Sequence, residues 1–322
     1  MSQIQDSQTL PRIVLSSCPK TYTKDLDKAV SPLETLEHVR HQFAALNLDI
    51  LAETRRVDAG RLGIPVFMSI CGKDARGVMP TRKQMGKGSS PEQAEASAVM
   101  ELVERFSYFS FVKRMPCAVT TTWNEAKKRF GDALIPIEEI LASVQEDLDP
   151  ASAETVFNTV AWKFFPSTEL GSGRIVWLPV NWFQLLNEFN GTSAGNTEEE
   201  SLLQGLSELI ERHACARIDQ NRPETATVSI ENTGDPVLKN LVDAFAREQI
   251  TLVLKDFSQG MPLPTIGAVA YDPKTFPASS EIVFTAGTAS SPTKAAIRAI
   301  TEIAQLGGDF CTHACYEASG LP

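Results

Sequence analysis

The chain has 322 residues, 43% hydrophobic and 22% charged, with a formal net charge of −10, enough for a large core in one big domain or two. The acidic balance excludes a general nucleic-acid or anionic-membrane surface, which would need basic patches. No apolar run approaches the ~20 residues that span a bilayer, and the polar N-terminus lacks a signal core; the cytoplasm is the expected location.

In chain order, residues 13–18 read as a short strand. Ser31 and Pro32 open a helix to about Leu46, with Ser as N-cap and Pro at the first helical position. Residues 50–57 and 65–71 read as strands joined by a turn around Gly60–Gly63. Gly86-Lys87-Gly88 reads as a turn leading into a helix that runs to about Val112. Residues 122–146 are helical, charged and peripheral. Residues 159–165 and 175–180 form a hairpin about Gly171–Gly173. A helix follows Asn196, then another at 235–248, strands at 251–256, 265–271 and 281–285, and a last helix after Ser291. Strands and helices mix without strict alternation, so the fold class is α+β. The expected division is an N-terminal strand/helix segment, residues 1–60, and a core over residues 61–322. The chain stops just after a helix, and a further C-terminal segment is expected.

Three of these helices carry one pattern. Aligned on an acidic pair, Ser97, Gln204 and Arg298 are equivalent; so are Glu101, Glu208 and Glu302, and then Glu104, Glu211 and Gln305. Positions i, i+4 and i+7 share a helix face, so each copy presents one polar stripe. The opposite positions are apolar in all three copies: Ala96, Leu203 and Ile297; Val99, Leu206 and Ile300; Leu102, Leu209 and Ile303. They are expected to face the core. Ser90 with Gln93, and Thr197 with Glu200, read as capping boxes.

A single Glu pair is ordinarily a solvated face. Three copies in one register are hard to explain that way, although a repeat scaffold could keep the pattern for packing alone. Converging carboxylates and amides suit hard cations such as Mg²⁺, which is normally shared with phosphates. Arg298 and Lys87 are candidates for phosphate contact. Arg105 and Arg212 more plausibly orient the neighbouring carboxylates. The six cysteines are scattered and read as buried thiols; Cys311, His313 and Cys315 form the one cluster with metal-binding residue types. There is no Walker A sequence, kinase signature or dinucleotide fingerprint.

In combination, Gly86-Lys87-Gly88, the first stripe with Arg105, the run from Ala194 through Asn196, Glu200 and Gln204 to Arg212, and Arg298 with Glu302 resemble the YcaO family over roughly residues 50–320. The resemblance implies a YcaO-like mixed fold whose pseudo-repeated helices converge on a Mg-ATP site. Carried over, Lys87, Ser97, Glu101, Glu104, Asn196, Glu200, Gln204, Glu208, Glu211 and Arg298 bind the cofactor; Glu101, Glu104, Glu200, Glu208, Glu211 and Glu302 hold metal; Arg298 and Glu302 are catalytic. Lys20 matches an N-terminal basic contact of the family. The implied chemistry is ATP-dependent phosphorylation of a backbone amide oxygen in a peptide or protein substrate. A side-chain nucleophile then gives an azoline, and external sulfide a thioamide. The Arg61–Val66 stretch and the stand-alone layout resemble members linked to thioamide formation with a TfuA-like partner. A homodimer is expected. The other reading is a non-catalytic ATP-binding accessory factor, as in ribosomal protein methylthiolation.

Overall fold

The computed structural model describes residues 13–306, apart from residues 59, 145, 232, 279 and 281. The chain forms two compact units, the larger from Ser17–Ser110 and the chain from Asn190 onward, the smaller from Phe111–Phe189 with the described residues up to Ser16. The larger unit opens with α1 (Pro32–Leu46), β1 (Leu51–Arg56), β2 (Val66–Cys71), α2 (Lys73–Arg76), β3 (Lys83–Lys87) and α3 (Pro91–Arg114). The smaller holds β4 (Val119–Thr121), α4 (Trp123–Phe130), α5 (Ile137–Ala142), α6 (Pro150–Phe157), β5 (Trp162–Thr168), β6 (Ile175–Pro179) and α7 (Val180–Asn187). The larger resumes with α8 (Glu198–Asn221), α9 (Pro236–Arg247), β7 (Thr251–Asp256), β8 (Thr265–Tyr271), β9 (Val283–Thr288) and α10 (Pro292–Leu306). Among the described residues three three-stranded sheets result, ordered β1-β2-β3, β4-β5-β6 and β7-β8-β9. Every pairing in them is antiparallel, as an α+β chain requires. Among the described residues, no helix is long and apolar enough to cross a membrane.

Local sequence accounts for most helix starts. Ser31 and Glu34 close a full capping box around α1. Asp235 caps α9 through the amides of Val237 and Leu238. Thr197 accepts from the Glu200 amide, but the expected box is only half made. The Glu200 side chain instead accepts from the amides of Ala29 and Asn196.

Two sheet–helix pairs in the larger unit are near-copies. α3 follows β1-β2-β3 and α10 follows β7-β8-β9, each with its apolar face buried: Ala96, Val99 and Leu102 in one, Ile297, Ile300 and Ile303 in the other. Each helix approaches its sheet at one glycine. A Cβ on Gly86 would lie 2.0 Å from the Ala98 nitrogen and 2.5 Å from the Ala94 oxygen; on Gly287 it would lie 2.5 Å from the Ala295 oxygen and 2.6 Å from the Ala299 nitrogen. Ser69 and Thr285 hydroxyls then bond the carbonyls of Ala98 and Ala299, both at 2.8 Å.

Several expectations need correction. Residues 13–18 form no strand; Val14 is 74% exposed, and strand propensity without a pairing neighbour leaves the chain irregular. Gly86 and Lys87 belong to β3 rather than to a turn, because the absent Cβ serves close packing. Residues 286–288 likewise continue β9. The stretch 122–146 is not peripheral: Trp123, Ala126, Ile137 and Ile140 are core residues of the smaller unit, packed with Phe157, Trp162 and Phe164. The expected core face of α8 is not buried. Its Leu203, Leu206 and Leu209 are 37%, 45% and 45% exposed, because α8 buries Glu200, Gly205, Ser207 and Ala214 instead. The Cys311–Cys315 cluster lies outside the described residues.

Candidate functional site

The polar stripes of α3, α8 and α10 line one cavity of about 580 Å³ in the larger unit. Apart from Lys20, every residue expected at the site is on its wall: Lys87, Ser97, Glu101, Glu104, Asn196, Glu200, Gln204, Glu208, Glu211, Arg298 and Glu302, together with Gln305. The glycine contacts explain why. By pulling α3 and α10 against their sheets, they fix the rotation of each helix, so the stripes point inward together.

Five basic side chains share the wall with the six glutamates: Lys28, Lys87, Arg105, Arg212 and Arg298. Lys87 pairs with Glu302. Arg105 lies 3.1 Å from Glu104 and 3.8 Å from Glu101, and Arg212 lies 3.6 Å from Glu208. Both arginines therefore orient carboxylates, as expected. Arg298 donates to the Gln204 carbonyl at 2.9 Å, bridging the first positions of two stripes.

The remaining carboxylate bonds tie the cavity to its rim. Glu104 accepts from the Thr192 hydroxyl at 3.1 Å and Glu208 from the Gly191 amide at 3.1 Å. Gly191 sits at φ 83°, a left-handed conformation that suits glycine. Glu211 accepts from the Thr288 amide, 2.8 Å away at the end of β9.

Burial sets the electrostatics. It pushes Glu104 up to about 7, with Arg105 opposing and Glu208 adding to the rise. It raises Glu101 against the pull of Arg105 and Lys87, with Glu302 and Glu208 reinforcing it. It raises Glu211 against Arg298, with Glu302 again adding. Carboxylates from all three helices thus feel one another across the cavity. Burial would raise Glu200 too, but Lys28 and the donors from Ala29 and Asn196 outweigh it and hold this carboxyl low.

The donor set fits a hard cation. Buried carboxylates with raised pKa values favour any positive charge that replaces their protons. The Gln305 carbonyl oxygen is buried with no hydrogen-bond partner among the described residues, an acceptor awaiting a donor or a cation. No group of three or more His, Cys, Asp or Glu among the described residues stands ready to hold a metal by itself. Mg²⁺ is seldom caged by protein alone and is normally shared with phosphate oxygens.

Some wall residues left no trace in the sequence reading. The N-terminal segment reaches the start of all three helices. Asp25 accepts from Ser89, the Ala29 amide donates to Glu200 at 2.7 Å, and Lys294 donates to the carbonyls of Thr23 and Lys24 at 2.7 and 3.0 Å. It brings Tyr22 and Lys28 to the wall, and Lys20 to an adjoining recess beside Lys28, Lys294 and Arg298. Contacts across some 171 residues have no local signal. Cys215 had one: it continues the stripe four residues after Glu211. Burial, then Glu211, push its thiol up to about 11.

A pH dependence follows. Between an ordinary 4.5 and about 7, folded Glu104 holds a proton that the unfolded chain has released. The stability it contributes is complete below about 4.5 and is lost as pH rises through 7; Glu101 and Glu211 act in the same direction. Thermal unfolding without nucleotide is expected to show a falling midpoint from pH 5.5 to 8. Glu104→Gln should flatten that slope, and an unchanged slope in the variant would refute the assignment.

A family model described as YcaO cyclodehydratase, ATP- and Mg²⁺-binding, matches residues 85–319. A protein encoded in the tfuA 3′ region of Rhizobium leguminosarum bv. trifolii is 26% identical over 298 residues, covering 87% of this chain and 66% of its own. A heterocyclase solved in complex with substrate and cofactor superposes with a TM-score of 0.70 at 22% identity over 92% of this chain. The chain spans only 42% of that heterocyclase. A YcaO protein from Methanopyrus kandleri, bound with AMPPCP and Mg²⁺, superposes with a TM-score of 0.62 at 23% identity, covering 90% of this chain and 70% of its own. At these identities the two structures establish a shared fold.

Proposed function

The chain belongs to the YcaO family, and from that membership we propose an ATP- and Mg²⁺-dependent enzyme that activates a backbone amide of a peptide or protein substrate. The observation that carries this reading is the convergence of three acidic stripes, with Arg298 and Lys87, on one cavity. ATP, when bound, supplies the phosphoryl group that turns the amide oxygen into a leaving group, and Mg²⁺ offsets the charge that accumulates.

This chain's own residues divide that work. Glu101, Glu104, Glu208, Glu211 and Glu302, with Gln305, offer oxygen ligands on the acidic side. Arg298, steadied by Gln204, and Lys87, set against Glu302, offer positive charge to phosphate oxygens. Ser97 and Asn196 supply uncharged hydrogen-bonding groups, and Glu200 fixes the N-terminal segment that carries Lys28.

For the product, we propose thioamide formation with a TfuA-like partner, ahead of azoline formation. The relative from the tfuA 3′ region supports it. The Arg61–Val66 stretch does not, because packing explains it: Leu62 and Ile64 are core residues and Arg61 pairs with Asp272.

The test combines the protein, Mg-ATP, sulfide, a TfuA-like protein and candidate peptides from neighbouring genes. Peptide-dependent phosphate release with exchange of oxygen for sulfur in the peptide is the expected result. Loss of water from the peptide would select the azoline branch. Nucleotide binding without peptide-dependent turnover would leave an accessory role.

A further inference from the structure

The sheet β7-β8-β9 has two outer edges, and among the described residues only one is covered along its length. β7 is met by residues 226–228: Val228 donates to the Leu254 carbonyl and Asp256 to the Ala226 carbonyl, both at 2.9 Å. β9 differs. Along a strand, the N–H and C=O groups of alternate residues point to opposite edges. Ala289 donates to the Pro264 carbonyl, on the β8 side, so Thr288, Ala286 and Phe284 point away from β8. Glu211 holds the Thr288 amide. The main-chain N–H and C=O groups of Phe284 and Ala286 have no partner among the described residues. Proteins ordinarily guard such an edge with charge, proline or a bulge. Val283–Thr288 carries neither a charged residue nor a proline, and its register with β8 is unbroken.

We infer that this edge receives an extended segment of the peptide substrate as an added strand, hydrogen-bonded to the N–H and C=O groups of Phe284 and Ala286. The role rests on the peptide-modifying reading above. Its position singles out that occupant. The edge opens on the cavity, whose wall includes Phe284, Thr285 and Ala286. Glu211 closes its inner end at Thr288, so strand pairing stops inside the cavity. Gly287, the residue after Ala286, packs against the root of Arg298: a Cβ on it would lie 2.8 Å from the Arg298 Cβ. A peptide amide that arrives along the edge therefore meets the side chain offered to phosphate. Ile282 and Phe284 are 50% and 47% exposed and present apolar surface to side chains of the added strand. In such pairing the main chain supplies affinity and alternate side chains supply selectivity.

The test uses a short synthetic peptide, cut from whichever neighbouring-gene product supports turnover, and copies that each carry one backbone N-methyl group. Methylation removes one donor from the peptide and leaves the protein untouched. In steady-state phosphate release, KM should rise about tenfold, the worth of one lost hydrogen bond. The rise is expected at two positions, two residues apart, on one flank of the modified amide. Methylation of the residue between them should change KM by no more than about twofold, with kcat little altered throughout. Ala286→Pro deletes an outward N–H, where an edge strand tolerates proline, and should raise KM for the unmethylated peptide by a similar factor. If that variant fails to fold, the methyl series decides alone. Turnover of the unmethylated peptide without alternation along the series would overturn the inference and leave the peptide-modifying reading standing. An edge already filled by a second copy or by another segment of this chain would give that same flat series. Absence of turnover with every peptide would overturn both.

Discussion

Arg298→Ala is expected to lower peptide-dependent ATP turnover by on the order of 10²–10³-fold, the usual cost of losing one preorganised charged contact to a developing negative charge. Arg298 occupies the position where the other stripes carry Ser97 and Gln204, so its charge is unique to the third copy. It is held by a 2.9 Å bond to Gln204 and moderates the carboxyl of Glu211. Truncation removes positive charge from the cavity and leaves the acidic side less compensated. The stabilisation of the protein by Mg-ATP should shrink with it, while the midpoint without nucleotide stays close to wild type. Phosphate release and thermal shift measure the two quantities. Lys239→Ala is the control: that side chain lies on α9 away from the cavity, is 61% exposed and should retain most activity. Wild-type turnover in Arg298→Ala would refute the placement of phosphate beside the third helix.

Gly86→Ala and Gly287→Ala are each expected to destabilise the fold by about 3 kcal/mol, at the upper end for overpacking. A methyl at either site would meet backbone atoms of α3 or α10 at 2.0–2.6 Å. Backbone has no rotamer to yield, so helix and sheet must separate. Gly234→Ala, with nothing within 4 Å, should stay within about 0.5 kcal/mol. The two damaging variants should also weaken Mg-ATP binding beyond what stability loss explains. Lys87 and Thr288 are the next residues along each strand, and they hold Glu302 and Glu211. Denaturant unfolding and nucleotide titration separate the effects, and stabilities equal to that of Gly234→Ala would refute the close-approach account.

Much of the site was legible because its logic is local. A helix fixes which residues share a face, so spacing alone grouped Ser97 with Glu101 and Glu104, and the repetition of the grouping pointed to convergence. Capping chemistry located α1 for the same reason, since Ser31 acts within one turn. Two local signals were misread. Gly86 looked like a turn because glycine's freedom and glycine's small size leave the same letter in a sequence. Leu203, Leu206 and Leu209 looked like core because periodicity reports that a face is apolar, not what covers it.

The sequence by itself determined that three helices would each present a polar stripe and an apolar face, and which carboxylates, amides and basic groups those stripes would hold. Only the tertiary structure decided that the stripes meet in one cavity. It also decided that Lys28 and Tyr22 arrive from the N-terminal segment, that Glu200 is bound up by that segment's amides, and that one apolar face of three stays open. The division is physical: helical periodicity and capping act over a few residues, whereas cavity walls, ion pairs and raised carboxyl pKa values depend on distances between elements far apart in the chain.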